Sequence, residues 1–319
     1  MMKLLQHVPH LELRAALVSV AVGIALATVK FVAYFLTGSA AVFSDAMESV
    51  VNVAASGVAA YALAVAHAPA DREHPYGHGK IEFMSAGFEG GMILLAAIVI
   101  TVRAVDTLLF HQINVEQLGL GTAMVAGAML VNGVTGLYLL RTGRRHGSMT
   151  LEADGLHLLS DAITSIVAVA ALLLVMLTGR HWIDPAAAII VATYIAVMGI
   201  KLLRRSAAGL MDEQDRSDER LLRGILDSHI GPDGRQPRIC SYHKLRHRHS
   251  GRYHWVDFHI MIPSQLTVDE GHTIASAIEY EIEQSLGEGN ATAHIEPCPN
   301  PTCRLAAQAR NGEGSCRSV

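Results

Sequence analysis

The sequence DAMESVVN, at residues 45–52, and the sequence DGLHLLSD, at residues 154–161, share one pattern, and each lies in a long apolar run. Both read D-x-x-[E/H]-x-x-x-[N/D]. Offsets of three and four residues place the polar positions of each copy on one face of a helix. Four oxygen and nitrogen donors on two such helices are enough to bind a metal ion. If the helices cross a bilayer, this metal site is a transport site. The candidate ligands are Glu48, Asn52, His157 and Asp161.

Six apolar segments are long enough to cross the hydrocarbon core of a bilayer, which takes about 20 helical residues. They run over residues 13–36, 40–66, 82–110, 117–140, 151–178 and 184–206. Of the 319 residues only 17% are charged, below the roughly 25% usual in soluble domains. The sequence therefore predicts a polytopic α-helical membrane protein. A soluble helical protein with a very apolar core is the alternative.

Loop charges predict how the six segments are oriented. Lys and Arg residues gather on one side, for example at 141–145 and 201–205, whereas Arg180 lies on the other side. Positively charged loops favour the cytoplasm. We therefore expect a multi-pass protein of the cell inner (plasma) membrane, in contact with lipid, with both termini in the cytoplasm.

The last hundred or so residues have the composition of a soluble domain. Helices are predicted at 214–228 and 267–286, and strands at 238–247, 252–263 and 291–297. In the second strand Val256, Phe258 and Ile260 alternate with polar residues, the pattern of a half-buried strand. The α-β-β-α-β order predicts a small α+β sandwich. The expected division is a membrane domain at 1–210, a soluble domain at 211–300 and a disordered tail at 301–319.

The loop between the second and third segments contains a second candidate metal site. Its residues Asp71, His74 and His78 are spaced by three and four positions, and nearby glycines would let the loop fold around an ion. A polar loop with exposed histidines is the alternative.

The soluble domain contains a third set of candidate ligands on different predicted elements. A three-stranded sheet with a helix beside it could bring them together, although no local spacing requires it. The histidines and arginines from His247 to His254 are more typical of a solvent-exposed hairpin rim than of a metal site. Cys298 and Cys303 fit either a thiolate site or an ordinary reduced pair. The candidate ligands are His243, His259, His272, His294 and Glu296.

Other functional classes find little support in the sequence. The net charge of −4 provides no basic footprint for nucleic acid. The sequence also contains no H-E-x-x-H, G-x-S-x-G or phosphate-binding glycine-rich motif. We therefore expect neither an enzyme nor a nucleic-acid-binding protein.

The chain resembles the cation diffusion facilitator family from about residue 10 to 298. The resemblance is carried by Ser44-Asp45-Ala46, by the loop at residues 71–82 and by the second DGLHLLSD copy, with Phe258-His259 and His294-Ile-Glu296-Pro297 in the soluble domain. It implies a homodimer with six spans and a cytoplasmic ferredoxin-like domain. It also implies export of divalent metal, typically zinc, in exchange for protons.

Position by position, the resemblance implies a transport site at Glu48, Asn52, His157 and Asp161, a loop site, and a structural or regulatory site in the cytoplasmic domain. The departure lies in the second span, where the family commonly has His or Asp at position 48 and Asp at position 52. A metal site rich in oxygen ligands favours manganese and iron. An exporter of manganese, iron or cobalt is therefore the alternative to a zinc exporter. A metal-responsive membrane sensor is the competing class.

Overall fold

The computed structural model describes residues 6–37, 40–110, 120–180, 182–231 and 233–298. The chain divides into two compact units, the first ending at Leu210 and the second beginning at Met211. Six long helices build the first unit: α1 (His10–Thr37), α2 (Ala40–Ala66), α3 (Ile81–Phe110), α4 (Leu120–His146), α5 (Met149–Thr178) and α6 (Ile183–Leu210).

The helices of the first unit confirm the prediction of a polytopic helical membrane protein. Within the described residues, α1, α2, α3, α5 and α6 each contain a stretch long and apolar enough to span a bilayer. Helix α4 ends on Arg144, Arg145 and His146. Side chains such as Phe35 and Leu177 are about four-fifths exposed on the protein surface, as expected where lipid is the solvent.

Small residues let neighbouring helices of this unit approach closely. A Cβ atom on Gly155 of α5 would lie 2.6 Å from the Leu140 nitrogen and 2.9 Å from the Gly136 oxygen of α4. Helices in membranes associate through such small-residue contacts because apolar burial alone gives them little advantage over lipid. The backbone of α5, which carries the second motif, is thus held directly against α4.

A buried carboxylate fixes the beginning of α5. The Ser148 hydroxyl donates a hydrogen bond of 2.9 Å to Glu82 Oε2 at the start of α3, and the Thr150 N–H donates to the same oxygen at 3.2 Å. Ser148 is also the N-cap of α5. Because α5 begins at a position set by α3, the residues further along α5 have a defined position relative to α3.

The second unit has the predicted α-β-β-α-β order. It contains α7 (Arg216–Ser228), β1 (Ser241–Ser250), β2 (Tyr253–Ile262), α8 (Val268–Leu286) and β3 (Gly289–Pro297). Strand β2 is central, antiparallel to β1 and parallel to β3. Both helices cover one face of the sheet. The core on that face includes Leu222, Leu226, Val256, Phe258, Ile260, Ile278 and Ile282.

A β-bulge in β1 decides which histidines share a face. His243 pairs with His259, but Arg246 pairs with Asp257, so β1 contains one extra residue between these pairs. Lys244 within the bulge has a φ of 50°. Because side chains alternate between faces, the extra residue reverses the alternation. His243 therefore lies on the open face, whereas residues after the bulge at odd positions lie on the helix-covered face.

Candidate metal centres

The structure brings together three of the four candidate ligands of the membrane unit. Asn52 on α2 donates its Nδ2 hydrogen to Asp161 Oδ2 on α5 at 2.9 Å, and its Oδ1 lies 3.2 Å from His157 Nε2. His157 is only 5% exposed. An amide, an imidazole and a carboxylate from two helices thus converge on one point, which we call the span cluster. Glu48 lies one turn before Asn52 on α2, and its side chain is outside the described part of the structure.

Glu89 on α3 lies beside this cluster, although no motif in the sequence pointed to it. Its side chain is fully buried, and its Oε2 lies 3.8 Å from His157 Nδ1. Neither carboxylate oxygen makes a hydrogen bond to any residue in the described ranges. One feature of the sequence could have identified it: Glu89 is an acidic residue within an apolar span. Such a residue costs free energy in a membrane and usually marks a functional site. It was overlooked because Glu89 has no partner in a sequence repeat.

The leading aspartate of the second motif has a different environment. Asp154 is 1% exposed and accepts hydrogen bonds from Ser19 of α1 at 2.7 Å and from Ser56 of α2 at 3.0 Å. These two hydroxyls bridge three helices through one carboxylate. Asp154 therefore holds α1, α2 and α5 together. The side chain of its counterpart in the first motif, Asp45, lies outside the described part of the structure.

The predicted loop cluster also forms. One ligand atom each from Asp71, His74 and His78 lies within 4.8 Å of the others. Asp71 Oδ1 is 3.2 Å from His74 Nδ1, and Asp71 Oδ2 is 3.4 Å from His78 Nε2. The hydrogen bond from the His74 backbone N–H is the main cause that lowers the pKa of Asp71, so this carboxyl is a carboxylate at neutral pH. The group is largely exposed and can exchange ions with water.

A further cluster lies on the open face of the sheet. His243 Nε2 is 3.2 Å from Glu296 Oε2, and His259 Nδ1 is 2.7 Å from Glu296 Oε1. The hydrogen bond with His259 is the largest cause that lowers the pKa of Glu296. His294 stands beside His259, with ring centroids 4.7 Å apart, and is 65% exposed. We call His243, His259 and Glu296 the open-face cluster, with His294 at its edge.

The expected inclusion of His272 in this group is not seen. His272 lies exposed on α8, and α8 packs on the face of the sheet opposite the open-face cluster. A helix that covers one face of a sheet cannot direct a side chain onto the other face within the same chain. The sequence showed that a helix lay beside the sheet, but not which face it covered.

The predicted solvated hairpin rim is different in the structure. His247 is only 5% exposed, while His249 and His254 are partly buried beside Asp218 of α7. Burial, more than any neighbouring charge, lowers the pKa of both His247 and His254. Their imidazoles are therefore neutral at pH 7. These histidines lie on the helix-covered face because of the bulge in β1.

The cysteines give no thiolate site within the described residues. Cys240 is buried and Cys298 is half-buried, and neither forms a disulfide with a described residue. Cys298 donates its backbone N–H to Ile262 at 2.8 Å, which extends the pairing beside β3. Cys303 and the predicted disordered tail at 301–319 lie outside the residues that the structure describes.

Two family profiles match this arrangement of a helical unit followed by a small α+β unit. Residues 16–211 match the cation efflux transmembrane domain. Residues 234–298 match the cytoplasmic domain of cation efflux proteins. Together the two matches contain every helix, loop and strand that carries a predicted ligand.

Full-length relatives agree with the two profiles. A transporter of Synechocystis, described as uncharacterised, is 38% identical over 88% of this chain and 89% of its own length. Metal tolerance protein 2 of Oryza sativa is 31% identical over 83% of this chain and 73% of its own. The cation-efflux pump FieF of Shewanella oneidensis is 28% identical over 89% of this chain and 93% of its own.

Proposed function

The chain belongs to the cation efflux family, and we propose that it exports a divalent transition metal, with zinc as the favoured cargo, in exchange for protons. Members of this family are multi-pass membrane transporters and not enzymes, and the family and relatives support efflux of divalent metal cations. We propose that the protein lies in the inner membrane with both termini in the cytoplasm.

The span cluster is the observation that carries the proposal. Asn52 connects the other two residues: its amide oxygen lies within hydrogen-bond distance of the His157 imidazole, and its amide nitrogen donates a hydrogen bond to the Asp161 carboxylate. An isolated carboxylate at the centre of a membrane helix costs about 2.5–3.5 kcal/mol on insertion scales. Such groups are retained where they face an ion path. The existing hydrogen bonds hold the donors in place until a metal replaces the Asn52–Asp161 contact.

Charge and ligand type together favour zinc. Asp161 and the proposed ligand Glu48 supply two negative charges, which balance a divalent cation. A neutral imidazole suits zinc, iron, cobalt and other transition metals better than magnesium or calcium. Glu48, at a position where the family commonly has His or Asp, and Asn52, with its neutral carbonyl, would both bind through oxygen, so the site is oxygen-rich. Manganese, iron and cobalt are therefore the alternatives for cargo.

Proton exchange follows from the chemistry of these ligands. Imidazole and carboxylate must lose their protons before they bind metal. Metal that enters from the cytoplasm would therefore release protons from His157 and the carboxylates. When the site opens to the other side of the membrane, protons there would compete for the same atoms and release the metal. Movement of α2 and α5 relative to the other helices would alternate the two states.

The soluble unit has a proposed supporting role. The open-face cluster would bind a structural or regulatory zinc ion between His243, His259 and Glu296. The name of the matching cytoplasmic-domain family refers to dimers. We therefore propose that the protein is a homodimer. Neutral imidazoles beside a carboxylate are the donors expected of a resident zinc site.

The test is transport in proteoliposomes that contain the purified protein, with a panel of metals and an imposed pH gradient. The proposal expects metal movement that is accelerated by an opposing proton gradient, and counterflow when labelled metal is placed on one side. Zinc should give the highest rate. Metal binding without any counterflow would identify a membrane sensor and contradict the proposed transport.

A further inference from the structure

A cluster at the hairpin end of the soluble unit is distinct from the sites above. Asp218 of α7, His249 near the end of β1 and His254 near the start of β2 each offer a ligand atom within 4.8 Å of the others. His249 Nε2 lies 2.9 Å and His254 Nδ1 lies 3.5 Å from Asp218 Oδ2. We call these three residues the hairpin cluster.

The fold fixes the hairpin cluster from three directions. His249 and His254 are directly paired across the hairpin, and their ring centroids are 4.3 Å apart. Asp218 lies in the first turn of α7, whose N-cap Asp215 accepts backbone N–H groups from Ser217 and Asp218. A capped helix end and a two-stranded hairpin are both well-defined elements. The three donors are therefore preorganised and do not depend on a flexible loop.

A fourth group lies next to the cluster. His247 precedes His249 by two residues on β1, so both project from the same face, and their ring centroids are 6.4 Å apart. Only 5% of the surface of His247 is exposed. Its Nε2 atom is buried without a hydrogen-bond partner among the described residues. A buried polar atom of this kind costs free energy unless it is satisfied by another group.

We propose that the hairpin cluster is a zinc-class metal site, with Asp218, His249 and His254 as ligands and the neighbouring His247 available for the fourth position. A tetrahedral zinc ion with bonds of about 2.0–2.1 Å keeps its donors about 3.4 Å apart. The separations of 2.9 Å and 3.5 Å at Asp218 Oδ2 are close to that value. Two imidazoles and one carboxylate are a common zinc donor set.

The hairpin cluster and the open-face cluster occupy opposite faces of one sheet. The open-face ligands lie on the uncovered face, whereas the hairpin ligands lie on the face that α7 and α8 cover. Metal at the hairpin cluster would connect the first turn of α7 to the hairpin. Because α7 begins six residues after α6 ends along the chain, occupancy would fix the first helix that follows the membrane unit.

The test uses the full-length protein in detergent, stripped of metal, in a background that lacks one ligand of each other cluster. That background carries His157→Ala, His74→Ala and His259→Ala. Cobalt titration followed by visible absorption, and zinc titration against a chromophoric chelator, count the remaining tight sites. We expect one site with the intense absorption of tetrahedral cobalt. A background that retains no tight site would overturn the proposal.

Two additions to the background identify the ligands. Asp218→Asn and, separately, His254→Ala should each weaken binding at the remaining site by at least about tenfold, since even indirect partners of metal ligands cost 10–100-fold. His272→Ala in the same domain is the matched control and should leave binding unchanged. Zinc should raise the midpoint of thermal unfolding of the background but not of its Asp218→Asn derivative, which is nearly isosteric. Equal affinity or equal protection in both would contradict the assignment.

Discussion

The span cluster and the open-face cluster both use imidazole and carboxylate donors, in different surroundings. His157 and the neighbouring Glu89 are 5% and 0% exposed, with Asn52 and Asp161 partly buried. The carboxylate of Glu296 is about a quarter exposed, and His294 at the edge of the open-face cluster is 65% exposed. An ion at the open face can exchange directly with water. On the proposed function, an ion at the span cluster would enter and leave through a path that opens between helices. Burial, and not ligand identity, would then separate the site for cargo from the site for a resident ion.

The two clusters also differ in how they are assembled. The span cluster depends on two helices that are separate along the chain, α2 and α5, with Glu89 of α3 beside them, and contacts such as Glu82–Ser148 position these helices. The open-face cluster depends on the registers of three adjacent strands, which place His243, His259 and His294 side by side. A helix can shift against its neighbours while its own hydrogen bonds persist, but a strand cannot shift without breaking its ladder. The span cluster is therefore suited to a moving site.

Apart from loss of a proposed transport ligand itself, the largest effect on transport should come from Glu89, which is buried beside the span cluster and has no counterpart at the exposed open-face cluster. Glu89→Gln removes the negative charge 3.8 Å from His157 Nδ1 and should slow metal transport in proteoliposomes at least about tenfold, the scale of supporting carboxylates beside metal-ligating histidines. Glu89→Asp should recover part of the rate. Glu213→Gln, an exposed carboxylate on the chain after α6, is the control. Full activity of Glu89→Gln would remove Glu89 from the site.

The next effect concerns which metal is carried. Asn52→Asp replaces a neutral carbonyl by a carboxylate and removes the hydrogen bond that Asn52 donates to Asp161. The added charge should change the order of transport rates among zinc, manganese, iron and cobalt. The same metal panel in proteoliposomes measures this order. If the order is unchanged, selectivity is set by other residues.

A smaller effect on transport is expected from the open-face cluster. His259→Ala removes the imidazole that lies 2.7 Å from Glu296 and should reduce the amount of zinc bound to the stripped full-length protein. Transport at saturating metal should fall less than with Glu89→Gln, because this cluster would hold a resident ion. A transport loss as large as that of Glu89→Gln would show that the open-face cluster lies on the cargo path.

The smallest effect, on the stability of the soluble unit, is expected from a substitution that changes no metal ligand. Thr267 and Glu270 form a capping box at the start of α8, and Thr267→Ala should lower the stability of the soluble unit by about 1 kcal/mol. Hydrogen bonding from the Thr267 backbone N–H lowers the pKa of Glu270. The Glu270 contribution is therefore present at neutral pH and is lost as pH falls below the ordinary pKa of a carboxyl. Chemical denaturation at pH 7 and at acidic pH measures both effects, and an unchanged midpoint would contradict them.

Much of the fold could be predicted because it follows from local periodicity. Long apolar runs predicted the helices of the membrane unit, and alternation at Val256, Phe258 and Ile260 predicted a half-buried strand. Of the span cluster, the repeat predicted that Asn52, His157 and Asp161 would share helix faces. These predictions succeed because helix and strand geometry fixes which positions along a single element lie together.

The remaining features depend on contacts that a single element does not encode. Glu89 comes from a third helix, and its position beside His157 follows from how α3 packs. The bulge at Lys244 reverses the faces of the β1 histidines, so the separation of His243 from His249 cannot be obtained by counting residues. Likewise, the position of His272 depended on which face of the sheet α8 covers.

The central claim is that metal crosses the membrane through the span cluster, and His157→Ala tests it most directly. Zinc uptake into proteoliposomes should be abolished, while the protein keeps the elution volume of the wild-type assembly and its zinc binding at the open-face cluster. His272→Ala, an exposed histidine of the soluble unit, should transport at the wild-type rate. Unchanged zinc uptake by the His157→Ala protein would contradict the account.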